Sequence, residues 1–265
     1  IEFTLGEASA RRWTSSQRRA CRPARSERMA SGAATLECVA AGSDARQRTT
    51  QPIVTGTSVI ALKFKGGVMM ASDTLGSYGG LARFTELDRI VKAGDFTLVG
   101  ADGDYSDFQH IQKILKELQV EDKCKADGIE FTPHQIWSCL TRILYHRRSK
   151  MNPLWNNVVV AGFTDNEPFL GTSDLIGTAF EADFVATGLG MHMALPILRR
   201  RWVPDMGEAD ARALLEDCLR VLFYRDCRTI NRISFATVTA HGAKIDEPKA
   251  IPTNWEYRSF INPSQ

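Results

Sequence analysis

The stretch that decides the fold is Gly-Thr-Ser-Val-Ile-Ala-Leu-Lys-Phe-Lys-Gly-Gly-Val at residues 56–68, followed closely by Ala71-Ser72-Asp73. Residues 58–64 and 68–72 are short apolar runs, and a Lys-Gly-Gly segment lies between them. Two β-prone runs joined by a glycine-containing turn are typical of a hairpin. The stretch therefore predicts a pair of antiparallel strands that begins next to Thr57.

Further strands and helices alternate downstream of this hairpin. A second hairpin is predicted around Gly94-Asp95, and an amphipathic helix carries Tyr105, Phe108, Ile111, Leu115 and Leu118 on one stripe. Another helix is predicted to begin with Thr132 as N-cap and Pro133 in its first turn. The remaining predicted elements are strands at 157–164, 169–173, 178–181 and 184–187, helices at about 191–202 and 208–224, and strands at 233–240 and 244–246. This order predicts an α+β protein, a four-layer αββα sandwich of two antiparallel sheets with helices outside.

Composition excludes several classes of protein. The chain has 265 residues, 43% of them hydrophobic, and a net charge of +2, as in ordinary globular proteins. Residues 1–48 hold nine arginines against five acidic residues, so the remainder of the chain is slightly acidic. A slightly acidic body gives no electrostatic basis for binding nucleic acid. No apolar run approaches the roughly 18–20 residues of a membrane-spanning helix.

The domain organisation follows from changes in composition and periodicity along the chain. Residues 1–48 are Arg-, Ser- and Ala-rich without periodicity, which predicts a disordered leader or propeptide. Met29 resembles an ordinary start within it, and a mitochondrial transit peptide is an alternative interpretation of the same segment. Residues 49–246 are predicted to form the folded domain, and the proline-punctuated residues 247–265 a C-terminal tail.

The cysteines and histidines give no sign of a metal site. Six cysteines and five histidines are dispersed without a CxxC pair or a shared zinc-ligand spacing. We expect free thiols, no metal and no cofactor.

Residues 56–73 also carry a specific resemblance, because they are similar to the opening of proteasome β subunits. In active members of that family a Gly-Thr bond is cut, and the exposed threonine supplies both the nucleophilic hydroxyl and the amine that acts as base. The resemblance implies the N-terminal nucleophile hydrolase type of αββα fold. It places the nucleophile position at Thr57, the aspartate at Asp73 and the family's lysine, sixteen residues further on, at Arg89.

Several of these positions depart from the active pattern. Arginine stays charged and presents a planar fork, so Arg89 is no substitute for a lysine that tunes a nucleophile. The family's Gly-Ser-Gly motif reads Gly188-Leu189-Gly190, and leucine forms no hydrogen bond through its side chain. The late Arg-Asp-x-x-Ser-Gly motif keeps Asp226 but has Thr229 in place of serine, followed by isoleucine. We expect Asp73 and Arg89 to form a buried ion pair in a degenerate site.

The resemblance extends over about residues 49–258 and narrows to a noncatalytic subunit type of the β ring. It implies propeptide removal near Thr49 or Thr50, which leaves Thr57 inside a peptide without a free amine. The implied partners are the other α and β subunits of a 28-subunit particle, in cytoplasm and nucleus. The alternative function is an active threonine protease that uses Thr57 after cleavage behind Gly56.

The tail is the last feature that the resemblance interprets. In subunits of this type it reaches the opposite β ring and strengthens the joining of half-particles. Large aromatic side chains dominate such contacts, which makes Trp255, Tyr257 and Phe260 the candidate anchors. The alternative is a tail that folds back on its own domain.

Overall fold

The computed structural model describes residues 51–125 and 130–256. The expectations for residues 1–48, for Thr49 and Thr50, and for Tyr257 and Phe260 lie outside these residues. The strands are β1 (Val54–Gly56), β2 (Val59–Phe64), β3 (Gly67–Asp73), β4 (Gly76–Tyr78), β5 (Leu81–Phe84), β6 (Ile90–Gly94), β7 (Thr97–Ala101), β8 (Gly103–Asp104), β9 (Val158–Thr164), β10 (Glu167–Ser173), β11 (Ala179–Glu181), β12 (Phe184–Ala186), β13 (Ile233–Thr239) and β14 (Gly242–Ile245). The helices are α1 (Tyr105–Lys125), α2 (Pro133–Ser149), α3 (Gly190–Met193), α4 (Leu195–Arg201) and α5 (Glu208–Arg225).

Two five-stranded antiparallel sheets form the centre of the molecule. One has the order β12-β2-β3-β13-β14 and the other β11-β10-β9-β7-β6. Alternate residues of β2 serve the two faces of their sheet, since Val59 and Ala61 pack toward the second sheet while Ile60 and Leu62 pack toward α4 and α5. Helices α2 and α1 cover the outer side of the second sheet. The predicted four-layer αββα sandwich is confirmed.

The local capping chemistry that the sequence predicts is present at α2. Thr132 Oγ1 accepts a hydrogen bond from the Gln135 amide at 3.3 Å, and Gln135 Oε1 accepts one from the Thr132 amide at 2.9 Å. These reciprocal bonds form a capping box, and Pro133 occupies the first turn, where its missing N–H costs nothing. The start of α2 is therefore determined by contacts between residues only three positions apart.

The single helix expected at about 191–202 is wrong, because the structure has two short helices. Helix α3 ends at Met193, and α4 begins at Leu195. Pro196 has no amide hydrogen and its ring crowds the preceding turn, which breaks a continuous helix at this point.

A third, small sheet was not predicted. It has the order β5-β4-β1-β8, and its strands are only two to four residues long. Strands this short show no alternation of apolar and polar residues that could reveal them. This sheet positions Thr57, because β1 ends one residue before it.

The start of the predicted tail packs on the domain. Ile251 is buried in the core cluster with α5, and its amide and carbonyl are both bound by the side chain of Asn231. Lys249 forms a β-bridge with Ile233. The boundary at residue 246 is therefore too early, since these apolar and backbone contacts make residues 249–251 part of the domain.

Candidate functional site

Thr57 lies in the short connection between β1 and β2. The preceding strand pairs antiparallel on both edges, with Thr55 opposite Ser77 on one side and opposite Asp104 on the other. Gly56 is the last residue of that strand, so the nitrogen of Thr57 is an amide that continues a paired strand. Thr57 Oγ1 is buried and makes no hydrogen bond in the structure.

Arg89 lies directly beside Thr57. Its Nη2 donates to the Thr57 carbonyl oxygen at 2.6 Å and to the Ser58 and Ala101 carbonyl oxygens at 3.4 Å. Its Nη1 donates to Asp73 Oδ1. Both terminal nitrogens of the guanidinium are thus engaged by a carboxylate and backbone carbonyls.

The predicted ion pair between Asp73 and Arg89 is confirmed. The two side chains are 4% and 1% exposed, which takes both charges out of water. Burial raises the pKa of Asp73 to about 6, against the opposing effect of the Arg89 guanidinium and of the Ile230 amide. Nearby Asp226 raises this pKa further by charge repulsion. The pair compensates only part of the cost of removing the carboxylate from water.

Arginine also determines the residue at position 56. A Cβ placed on Gly56 would lie 2.4 Å from Arg89 Nε and 2.8 Å from its Cζ, distances that no carbon tolerates. Only glycine lets the backbone approach the guanidinium this closely. Gly56 and Arg89 are therefore a matched pair at the end of β1.

The remaining predicted positions meet at the same place. A cavity of about 10 Å³ is lined by Thr57, Asp73 and Thr229 among others, and an open cleft of about 390 Å³ is lined by Thr57, Leu189 and Asp226 among others. Thr229 Oγ1 donates to the Asp226 carbonyl at 3.2 Å. The structure thus brings together all six positions, Thr57, Asp73, Arg89, Leu189, Asp226 and Thr229.

Asp226 combines one satisfied and one unsatisfied carboxylate oxygen. Its Oδ1 accepts the Arg228 amide at 2.9 Å, whereas buried Oδ2 has no partner. It follows α5 directly as the C-cap residue. Leu189 precedes α3 and contributes no hydrogen bond through its side chain.

The backbone around this site is fixed by two hydroxyl groups that the sequence analysis missed. Ser58 Oγ accepts a bond from the Gly190 amide at 2.7 Å, and Thr187 Oγ1 accepts one from the Val59 amide at 3.0 Å. These bonds attach the Gly-Leu-Gly segment to the start of β2. Both bonds join residues that lie far apart in the sequence, so no local pattern marks these two hydroxyl groups.

Asp102 was also missed by the sequence analysis. It is buried and accepts hydrogen bonds from the side chain and amide of Asn157. Burial raises its pKa, and the bonds from Asn157 oppose that rise. A Cβ on Gly188 would lie 3.2 Å from Asp102 Oδ2, so this carboxylate lies close against the turn before Leu189.

The described residues show no group of three or more His, Cys, Asp or Glu that could hold a metal ion. Within the same residues, no helix is both long enough and apolar enough to cross a membrane. The site's polar atoms are arranged around one arginine instead.

Trp255 is not among the residues that line this cleft. Its ring packs edge-on against Tyr224 and Phe223 at the end of α5, with centroid distances of 5.0 and 5.7 Å, and it stays 59% exposed. The Asn254 amide donates to the Tyr224 hydroxyl at 2.6 Å. Within this chain, Trp255 therefore has a partly covered contact with its own domain.

Comparison with known proteins decides the family. The family model described as proteasome subunit matches residues 53–238. The chain belongs to the proteasome subunit family. It is 44% identical to the proteasome subunit beta type-4 of Xenopus laevis, over 82% of this chain and 90% of that protein. It is 46% identical to the beta type-4 subunit of Arabidopsis thaliana, over 82% and 89%, and 42% identical to the beta type-7 subunit of Saccharomyces cerevisiae, over 78% and 82%.

These similarities confirm the resemblance that the sequence carries. The chain is a β subunit of the proteasome family, and its αββα sandwich is the N-terminal nucleophile hydrolase fold of that family. Two of these relatives are beta type-4 subunits, and this is the subunit type that the motifs in residues 49–258 resemble.

Proposed function

We propose that this chain is a noncatalytic, structural β subunit of the 20S proteasome core particle. It joins other α and β subunits in a 28-subunit assembly of the cytoplasm and nucleus that degrades proteins. The observation that carries the proposal is the contact of Arg89 with Thr57. The Arg89 guanidinium, at the position of the family's lysine, is held by Asp73 and donates to the Thr57 carbonyl oxygen at 2.6 Å, while Thr57 Oγ1 has no hydrogen-bond partner. With processing upstream of Thr57, no amine and no neighbouring side chain serves its hydroxyl as a general base.

The chemistry beside Thr57 supports the same conclusion. Arg89 holds its guanidinium against Asp73 and the Thr57 carbonyl, and arginine does not lose its proton in proteins. Leu189 offers no hydroxyl toward the site. Asp73 is occupied by the ion pair and by the Ile230 amide, which leaves it a structural task.

Processing near Thr49 or Thr50 belongs to this proposal. A new terminus there leaves the whole of β1 attached to Thr57, so the small sheet β5-β4-β1-β8 keeps its inner strand. The leader of residues 1–48 is then removed, and the tail from Trp255 through Tyr257 and Phe260 serves contacts between half-particles.

One observation favours the alternative, an active threonine protease. Thr57, Asp73, Asp226 and Thr229 lie together around one small cavity and the adjoining cleft, as the remains of an active site would. Activity would require cleavage of the Gly56-Thr57 bond, loss of β1 from its sheet, and a base other than Arg89.

The test is made on particles that contain this chain. We expect N-terminal sequencing and intact mass to give a start at Thr49 or Thr50. A covalent threonine-directed inhibitor is expected to label sister subunits and to leave this chain unmodified, and a Thr57→Ala variant to leave particle peptidase activity unchanged. A start at Thr57 together with labelling of its hydroxyl would overturn the proposal in favour of the protease.

A further inference from the structure

Strand β1 is paired on both of its edges although it is short. It has only three residues, yet it is an inner strand of the small sheet, between β4 and β8. Val54 and Thr55 lie opposite Tyr78 and Ser77, while Thr55 and Gly56 also lie opposite Asp104 and Gly103. Without β1, two inner edges with unpaired backbone groups would face each other.

Side chains fasten the same segment to both neighbours. Ser77 Oγ donates to the Thr55 carbonyl at 3.1 Å and lies 3.2 Å from Thr55 Oγ1. Asp104 Oδ2 accepts the Ile53 amide at 2.9 Å. The other oxygen of Asp104 accepts the Ser106 amide at 2.8 Å, in the first turn of α1. The segment is thus tied to a strand on one side and to a helix on the other.

Arg89 closes the end of the segment next to Thr57. It donates to the Thr57 carbonyl at 2.6 Å, and its side chain lies against the Cα of Gly56. The guanidinium is itself held by Asp73, so this contact is anchored in the core.

We propose that residues 52–56, here called the N-terminal strap, fill in cis a slot between β4 and β8 that fits an extended peptide. An added strand recognises such a slot through main-chain hydrogen bonds, and the strap already uses them. The proposal rests on the noncatalytic function and extends it. By occupying the slot, the strap keeps the Thr57 nitrogen in a peptide bond, and its residues Pro52, Thr55 and Gly56 form part of the wall of the cleft beside Thr57.

The first test compares amide hydrogen exchange in assembled particles. One particle carries the full chain, and the other carries a shortened chain that begins at Thr57. We expect the amides of residues 76–78 and of Gly103 to exchange faster by about tenfold or more without the strap, because the strand that pairs with them is gone. A synthetic peptide Gln-Pro-Ile-Val-Thr-Gly, the sequence of residues 51–56, is expected to restore protection. Unchanged exchange, or faster exchange that the peptide does not reverse, would overturn the proposal.

A second test keeps the chain whole, in case the shortened chain does not assemble. Gly56→Ala forces a methyl group against Arg89 and should loosen the strap, whereas Gly80→Ala meets no atom within 4 Å and is the matched control. We expect a labelled Gln-Pro-Ile-Val-Thr-Gly peptide to bind the Gly56→Ala chain and neither the control nor the unaltered chain. Equal binding by both variants would contradict the strap.

The two proposals fail in different ways. Covalent labelling of Thr57 in native particles would contradict the noncatalytic function, whatever the exchange rates are. Rapid exchange of the amides of residues 76–78 and of Gly103 in the full chain, with Thr57 unlabelled, would contradict only the strap.

Discussion

Asp73 and Arg89 form an ion pair in which both side chains are almost completely buried. Asp73 is the last residue of β3, and Arg89 directly precedes β6. The same arginine donates to the carbonyl oxygen of Thr57, so the pair links the core sheet to the connection that carries the nucleophile position. A buried pair of this kind holds surrounding elements in place even when its net contribution to stability is small, because removal of one partner leaves an uncompensated charge.

Replacement of Arg89 by methionine is therefore expected to destabilise the full chain. Breaking a buried pair costs about 3–5 kcal/mol in the free energy of unfolding. Urea unfolding measures this change. Arg232→Met is the matched control, because it breaks an exposed pair with Glu86 and should cost about 0–1 kcal/mol. Similar losses of unfolding free energy in the two variants would show that the buried Asp73–Arg89 pair stabilises the fold no more than an exposed pair does.

The pH dependence of stability is expected to report the burial of Asp73. Its carboxyl titrates near 3.9 in the unfolded chain and at about 6 in the folded chain. Between these values the folded state binds more protons, so the contribution of Asp73 to stability falls as the pH rises from about 4 to 6 and is constant above that. The measurement is urea unfolding between pH 4 and 7.5, with the carboxyl of Asp73 followed by NMR.

Arg89→Met should steepen that dependence. Loss of the guanidinium removes an effect that lowers the pKa of Asp73, so the pKa rises further and protonated Asp73 needs no cation. The variant is then expected to lose less stability at pH 5 than at pH 7.5. A destabilisation independent of pH would mean that lost packing, rather than charge, explains it.

The capping box at α2 gives a prediction that does not involve the residues around Thr57. Thr132→Ala removes the N-cap acceptor for the Gln135 amide, which is expected to cost about 0.5–2 kcal/mol in unfolding free energy. Ser149→Ala at the other end of the same helix removes only an exposed bond to the Tyr145 carbonyl and serves as control. A larger effect for Ser149 would contradict the assignment of the cap.

Local chemistry explains what could be predicted from the sequence. The hairpin of β2 and β3 and the start of α2 depend on residues a few positions apart, and both are present as predicted. The small sheet depends on β1 meeting β8 almost fifty residues away, through strands too short to show a pattern. Because the small sheet was not predicted, the pairing of the strand that leads into Thr57 was missed as well.

The residues of the site also fall into two groups, those that a sequence pattern indicated and those that it did not. The spacing shared with proteasome β subunits indicated Thr57, Asp73, Arg89, Leu189, Asp226 and Thr229, and the structure brings them together. Asp102, Ser58 and Thr187 act through contacts between distant segments, and no local signal marks them. The break before α4 had a local signal in Pro196, which the prediction of one helix at about 191–202 did not use.

Trp255 separates the two interpretations of the tail. If it anchors the joining of half-particles, Trp255→Ala should lower the ratio of full particles to half-particles in native electrophoresis, since a large aromatic anchor contributes at least about 2 kcal/mol. The chain's own melting temperature should change little, because the ring is 59% exposed. Trp255→Phe keeps an aromatic ring against Tyr224 and is expected to retain most joining. A lower melting temperature with normal joining would instead assign Trp255 to its own domain, where Phe223 and Tyr224 already contact it.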